Sequence, residues 1–188
     1  PAHVVPVPIP GGRVPANSTD PVPMSDKAQS FIQTLKLQAH PEGGYYRETY
    51  RSDGLIDVPG AGGVVPRNIS TGIYFLLEKD DFSAFHRIKS DEMWHFYAGQ
   101  ALEVIELQPT GELLCTRLGN DIGQGCAPQH VVPANTWFAA RMAPGGEFAL
   151  VGCSVAPGFD FADFELAQRA ALSDQFPQHR QIIAGLTR

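Results

Sequence analysis

Between residues 45 and 155 the chain returns again and again to short β-branched and aromatic runs, each closed by a turn signal. Tyr45, Tyr46 and Tyr50 follow Gly43-Gly44, and residues 70–77 (STGIYFLL) end at Glu78-Lys79-Asp80-Asp81. Residues 82–88 and 92–98 flank the polar turn Lys89-Ser90-Asp91, and Gly99-Gln100 leads into 102–107. Pro109-Thr110-Gly111 precedes 113–118, further strands fit 130–132 and 136–141, and Pro144-Gly145-Gly146 precedes 148–155. Runs this short and this closely spaced predict a sandwich or a closed barrel, and 19 Gly with 16 Pro supply the turns.

Helices are expected only at the two ends. Ser25 is placed to cap a helix over 26–38, with Asp26 in its first turn and Ala28, Phe31, Ile32 and Leu35 on one face. His40-Pro41 ends it, because the residue before proline is pushed out of the helical region. Residues 160–172 carry Phe161, Phe164, Leu166 and Ala167 on related faces, and Pro177 suits the first turn of a last helix reaching Ile182-Ile183. The Pro-rich stretch 1–23 has no hydrophobic period and reads as an expression-vector leader, with a natural extended arm as the competing reading. The remaining 24–188 form one domain.

The net charge of −6 argues against a nucleic-acid-binding surface. No apolar run reaches membrane-spanning length, and Cys115, Cys126 and Cys153 have no metal-binding or redox spacing. A cytoplasmic protein with reduced thiols is expected.

The chemistry concentrates in residues 83–99. Alternation puts His86 and Ile88 on one face of a strand, and Glu92, Trp94 and Phe96 on one face of the next. If the two strands pair across their turn, an imidazole and a carboxylate meet inside the barrel. Such a pair can bind a metal, or act as a general base with an orienting partner. A bulge near the turn would bring His95 inward instead, so both sides stay open to it. Nearer the start, alternation groups Tyr46, Glu48 and Tyr50 against Tyr45, Arg47 and Thr49. Arg47 is a candidate for a carboxylate or phosphate, or for an ion pair in an edge or interface strand. Trp94, Trp137 and Tyr74 can stack on a ring or pack in the core.

Residues 86–99 resemble the first cupin motif, with His86, Glu92 and Gly99 in place, Ile88 at the second histidine and Asp80 where the leading glycine belongs. Residues 133–138 (PANTWF) resemble a degraded second motif, in which Asn135 can take the left-handed turn of the glycine and Phe138 stands at the last histidine. Four blocks in order, PEGGYYRETY (41–50), STGIYFLL (70–77), 86–99 and CSVAPGFDF (153–161), are similar to the cupin-5 family, formerly DUF985. The resemblance implies a mainly β, single-domain RmlC-like cupin, a double-stranded β-helix or jelly-roll barrel with terminal helices. It also implies a homodimer and a sugar-epimerase label that rests on fold analogy.

The expectation is a metal-independent isomerase or epimerase acting on a sugar or nucleotide-sugar. His86 is the base, Glu92 orients it, and Tyr74 or Tyr97 is the proton donor. Arg47, Tyr46, Trp94, His95 and Trp137 are the substrate-binding candidates. No cofactor is expected, since Ile88 cannot ligate and two ligands rarely hold a catalytic metal. A metal-dependent cupin enzyme, its site rebuilt with His95 and Cys153, is one alternative. The other is a cupin that binds a nucleotide or sugar without turnover, through Arg47, Trp94 and Trp137. Neither a nucleic acid nor a membrane is an expected partner.

Overall fold

A computed structural model describes residues 3–4, 24–60 and 62–188. Apart from residues 3–4, the leader expected over 1–23 lies outside the described residues. Three strands of the seven-stranded sheet come early: β1 (His3–Val4), β2 (Gln38–Ala39) and β3 (Tyr45–Arg51). A hairpin of β4 (Leu55–Gly60) and β5 (Gly63–Asn68) follows as a separate two-stranded sheet. Next come β6 (Thr71–Glu78), β7 (Phe82–Arg87), β8 (Asp91–Gly99), β9 (Leu102–Leu107) and β10 (Leu113–Leu118). The last strands are β11 (Gln129–Val132), β12 (Trp137–Met142), β13 (Phe148–Ala156) and β14 (Glu165–Leu166).

The larger sheet runs β1-β3-β6-β13-β8-β11, with β2 added on β3, and the smaller runs β10-β9-β12-β7-β14. Every named strand pair is antiparallel, as a jelly roll requires. Phe75, Leu77, Trp94, Val104, Phe138 and Val151 fill the space between the sheets. Burying side chains of this kind contributes on the order of 1.5–3 kcal/mol each.

Helices also cover part of the back of each sheet. Helix α1 (Met24–Thr34) lays Ala28 and Phe31 on Leu76, Phe148 and Leu150 behind the larger sheet. It begins one residue before the cap expected at Ser25 and stops short of residue 38, because Lys36 turns to φ 54°. Behind the smaller sheet, α2 (Arg169–Gln175) and α3 (Arg180–Gly185) set Leu172 and Ile183 against Phe85, Ile105 and Leu107. Residues 160–172 are therefore not one helix. They form a 3₁₀ turn (Phe161–Asp163), strand β14 and only the start of α2, because β14 is needed to cap the edge of β7.

The sheet assignment also differs from the expected hairpin. β7 pairs with β12 and β14, whereas β8 pairs with β13 and β11, so the two strands around Lys89-Ser90-Asp91 belong to opposite sheets. His86 and Glu92 therefore meet across the sandwich and not across a ladder.

Candidate functional site

A cavity of about 460 Å³ opens between the sheets at one end of the barrel, lined by His86, Ile88, Glu92, Tyr46 and Cys153 among others. Two irregularities in the strands aim its polar residues. In β7, Ser83 and His86 oppose Ala140 and Phe138, so three steps on one strand match two on the other. That bulge turns both Ser83 and His86 inward, which strict alternation would forbid. In β3 the register shifts between Glu48 and Tyr50, so Tyr46, Glu48 and then Arg51 face the cavity.

The strap before β3 supplies a carboxylate that sequence reasoning missed. Glu42 is buried, and its carbonyl accepts the Ala84 N–H at 2.8 Å. Gly43, at φ +114°, follows a path on which a Cβ would lie 2.0 Å from the Phe82 carbonyl oxygen. Glycine is what lets the strap press onto β7. A carboxylate between a proline and two glycines, ahead of an aromatic strand, was the available signal.

Glu42 Oε1 accepts the Ser83 hydroxyl at 2.9 Å, and Oε2 stands 3.1 Å from His86 Nε2 and 3.5 Å from His40 Nδ1. His86 Nδ1 lies 2.7 Å from the Ala84 carbonyl oxygen. A carbonyl can only accept, so Nδ1 carries the proton. Burial holds the His86 pKa below its ordinary value, against the opposing pull of the Glu92 charge. Nε2 of the neutral ring thus turns a lone pair toward Glu42, and the proton between them belongs to the pair. Burial raises Glu42 to about 7, partly offset by His40 and the Ser83 hydrogen bond. Glu92 rises to about 7 for the same first reason, with His86 opposing and Glu42 adding to the rise. The Cys153 thiol hydrogen-bonds Glu92, and burial beside that carboxylate keeps its own pKa well above the ordinary thiol range. His40, whose Nδ1 accepts the Glu42 backbone N–H at 3.3 Å, is lowered by burial.

Of the sequence-derived candidates, His86, Glu92 and Tyr46 line the cavity. Six others are absent from its lining. Arg47 and Tyr74 are register partners whose side chains leave the larger sheet on its back, with the guanidinium 6.0 Å from the Tyr74 ring centroid. Tyr74 meets Tyr97 edge-on there, at 6.0 Å between centroids. The proton-donor role expected of Tyr74 or Tyr97 is therefore out of reach of the cavity. Arg47 is misplaced for the same reason of strand parity, and its Nε and Nη2 are buried without a hydrogen-bond partner among the described residues. His95, open to either side in the sequence, faces outward and lies 3.1 Å from Ser154 Oγ. Trp94 points inward but is consumed by the core, edge-on to Phe75 and Phe138. Trp137 packs behind the smaller sheet with Arg87 4.5 Å over its ring.

The residues do not fit the metal that many cupins carry. Ile88 and Phe138 fill two ligand positions with hydrocarbon, and the Phe138 ring sits 4.1 Å from that of His86. Both nitrogens of His86 are already engaged. Among the described residues no three His, Cys, Asp or Glu side chains converge as a ligand set.

The motif geometry of the barrel is nevertheless intact. Asn135 takes φ 63°, and Gly99, at φ +96°, runs where a Cβ would meet the Phe148 carbonyl oxygen at 2.2 Å. The family model described as Cupin_5, cupin superfamily (DUF985), matches residues 29–167. The chain belongs to the cupin-5 family. It is similar to the uncharacterized protein YML079W of Saccharomyces cerevisiae, with 34% identity over 156 residues, 76% of this chain and 77% of that one. Among solved structures it resembles protein SO0799 of Shewanella oneidensis at 43% identity and TM-score 0.76, covering 86% of this chain and 97% of that one. A hypothetical protein from Leishmania major gives 33% identity and TM-score 0.79, covering 85% and 98%. No described helix is long and apolar enough to cross a membrane.

Proposed function

We propose that this cupin-5 protein is an isomerase that moves a proton on a carbon next to a carbonyl, most simply the epimerisation or tautomerisation of a keto-sugar, without a metal. The observation that carries the reading is the buried set Glu42, His86 and Glu92, in which two carboxyls sit near pKa 7 in one cavity. Near neutral pH one can be ionised while the other holds its proton, which is what paired acid–base work needs. Glu92 comes from the larger sheet, and His86 with Glu42 from the side of the smaller one.

Glu92, as carboxylate, takes the proton from the substrate carbon, and the electron pair moves into the carbonyl to give an enolate. The Glu42–His86 pair returns its proton to the carbon from the facing wall. The product then differs in configuration, and the site resets when Glu92 loses its proton and the pair regains one. His86 thus works with Glu42 as its near partner, and Glu92 is the second acid–base group. This division of roles differs from the expectation in which Glu92 merely oriented His86.

The test is solvent deuterium wash-in, followed by NMR, with a panel of keto- and aldo-sugars. Incorporation at one carbon, abolished by His86→Ala and by Glu92→Gln, is expected. Binding that survives His86→Ala with no incorporation in the wild-type protein would overturn the reading and leave a binding module.

A further inference from the structure

The cavity's charge points to the class of substrate. We infer, resting on the proton-transfer reading, that the site takes an uncharged hydroxylated ring, a free sugar-sized compound, and not a phosphorylated or nucleotide-linked one.

Of the described residues that line the cavity, four are carboxylic acids, Glu42, Glu48, Glu92 and Asp160, and one is a permanent cation, Arg51. An anionic substrate would need that guanidinium. Arg51 Nε donates to Glu48 Oε1 at 3.0 Å and Nη2 to Glu48 Oε2 at 2.6 Å. Nη1 donates to Asn68 Oδ1 at 2.7 Å, and both Nη1 and Nη2 reach the Phe159 carbonyl oxygen at 3.1 Å. Five contacts use the five N–H groups of a guanidinium, so none is left to fork a phosphate. The nearby cations are also committed, since Arg67 and Lys89 both hold Asp163. A phosphate would therefore enter a field of like charge with no uncommitted guanidinium among the described lining residues to receive it.

A neutral polyol meets the opposite situation. The carboxylate oxygens of the lining accept hydroxyl protons. Tyr46, Phe161 and Phe164 offer ring faces, whose negative quadrupole suits the C–H side of a sugar ring. At about 460 Å³ the cavity lies toward the small end of the roughly 300–1,000 Å³ usual for small-molecule sites. Residues 159–164 lie over it, tied by Phe159 N–H to Thr71 Oγ1 at 2.9 Å and by Arg67 to Asp163.

The experiment is calorimetric titration of the full chain, at low and high salt, with matched pairs. D-glucose and D-fructose are set against their 6-phosphates and UDP-glucose, and free pentoses and 6-deoxyhexoses complete the panel. Deuterium wash-in is run on the same samples. At least one free sugar is expected to bind about tenfold or more tighter than its phosphorylated counterpart. Glu48→Gln, which releases Arg51 from its anion, is expected to shift that ratio several-fold toward the phosphorylated partner. A phosphorylated or nucleotide-linked member binding tighter than its free partner, no free sugar binding at all, or a ratio unmoved by Glu48→Gln would each overturn the inference. A free sugar that binds without deuterium uptake would sink the proton-transfer reading alone and leave the substrate class standing.

Discussion

Glu92→Gln should make the protein more stable in alkali than in acid relative to wild type, and the size of that effect follows from the cavity. Glu92 is buried with a pKa raised to about 7 from an ordinary 4.5, chiefly by desolvation. Below about pH 4.5 the carboxyl is protonated whether the chain is folded or not, and its contribution is fully present. Between 4.5 and 7 the unfolded chain ionises it freely while the folded chain resists, so stability falls as pH rises. Above the folded pKa the loss is complete, at about 3 kcal/mol. A neutral amide of the same shape avoids that loss and can still accept the Cys153 thiol hydrogen bond. Glu92→Gln should therefore change stability little at pH 4 and raise it by about 3 kcal/mol at pH 8. Urea unfolding followed by the emission of the buried Trp94 and Trp137 reads the difference directly. Subtracting wild type from variant at each pH removes the histidines' own contributions to first order. An effect equal at the two pH values, or larger in acid, would refute the raised pKa and with it the acid–base account of the cavity.

Other expectations are independent of that measurement. Isomerisation, followed by deuterium uptake, should have a bell-shaped pH profile centred near 7. Below it Glu92 already carries a proton and is no longer a base, and above it the Glu42–His86 pair has no proton to give. Gly43→Ala would force a Cβ toward the Phe82 carbonyl oxygen and lift the strap, costing about 2 kcal/mol or more and lowering turnover at least about tenfold. Denaturant titration and wash-in rates check the two halves of that statement. Glu106→Ala removes the buried partner of His130, whose Nε2 stands 2.5 Å from Glu106 Oε1, and should cost about 3 kcal/mol in urea titration. Neither residue lines the cavity, so its deuterium uptake rate should stay within about twofold of wild type while the variant is folded.

The barrel was legible because turns recur at strand spacing, and the family blocks fixed which barrel. His86 and Glu92 were legible because each sits on the inward face of a run whose alternation holds locally. Arg51, Glu42 and Ser83 were not, and each was hidden by a departure from period two. A bulge at Glu48/Tyr50 exchanges the faces of β3 beyond it, so Arg51 enters the cavity where alternation would send Tyr50. A second bulge puts Ser83 on the face of His86. Glu42 belongs to no strand at all. It reaches the cavity because Gly43 can bend where other residues are strained. Arg47, Tyr74 and Tyr97 failed in the complementary way, their chemistry apt but their parity outward.

The apolar residues at the ligand positions do more than remove a metal site. Ile88 and Phe138 are both buried, and they put hydrocarbon where a metal-binding cupin puts imidazole. Hydrocarbon there withdraws solvent and counter-charge from Glu42 and Glu92 together, and desolvation is the leading cause of the shift in each. A metal would drive the same carboxylates toward permanent ionisation. Without one they rest near neutrality, where a proton moves at little cost. Phe138→His should therefore lower both carboxyl pKa values as the ring takes up charge, and move the pH optimum of deuterium uptake to the acid side. An optimum unmoved or shifted to alkali would show that the aromatic wall does not set the acidity of the site.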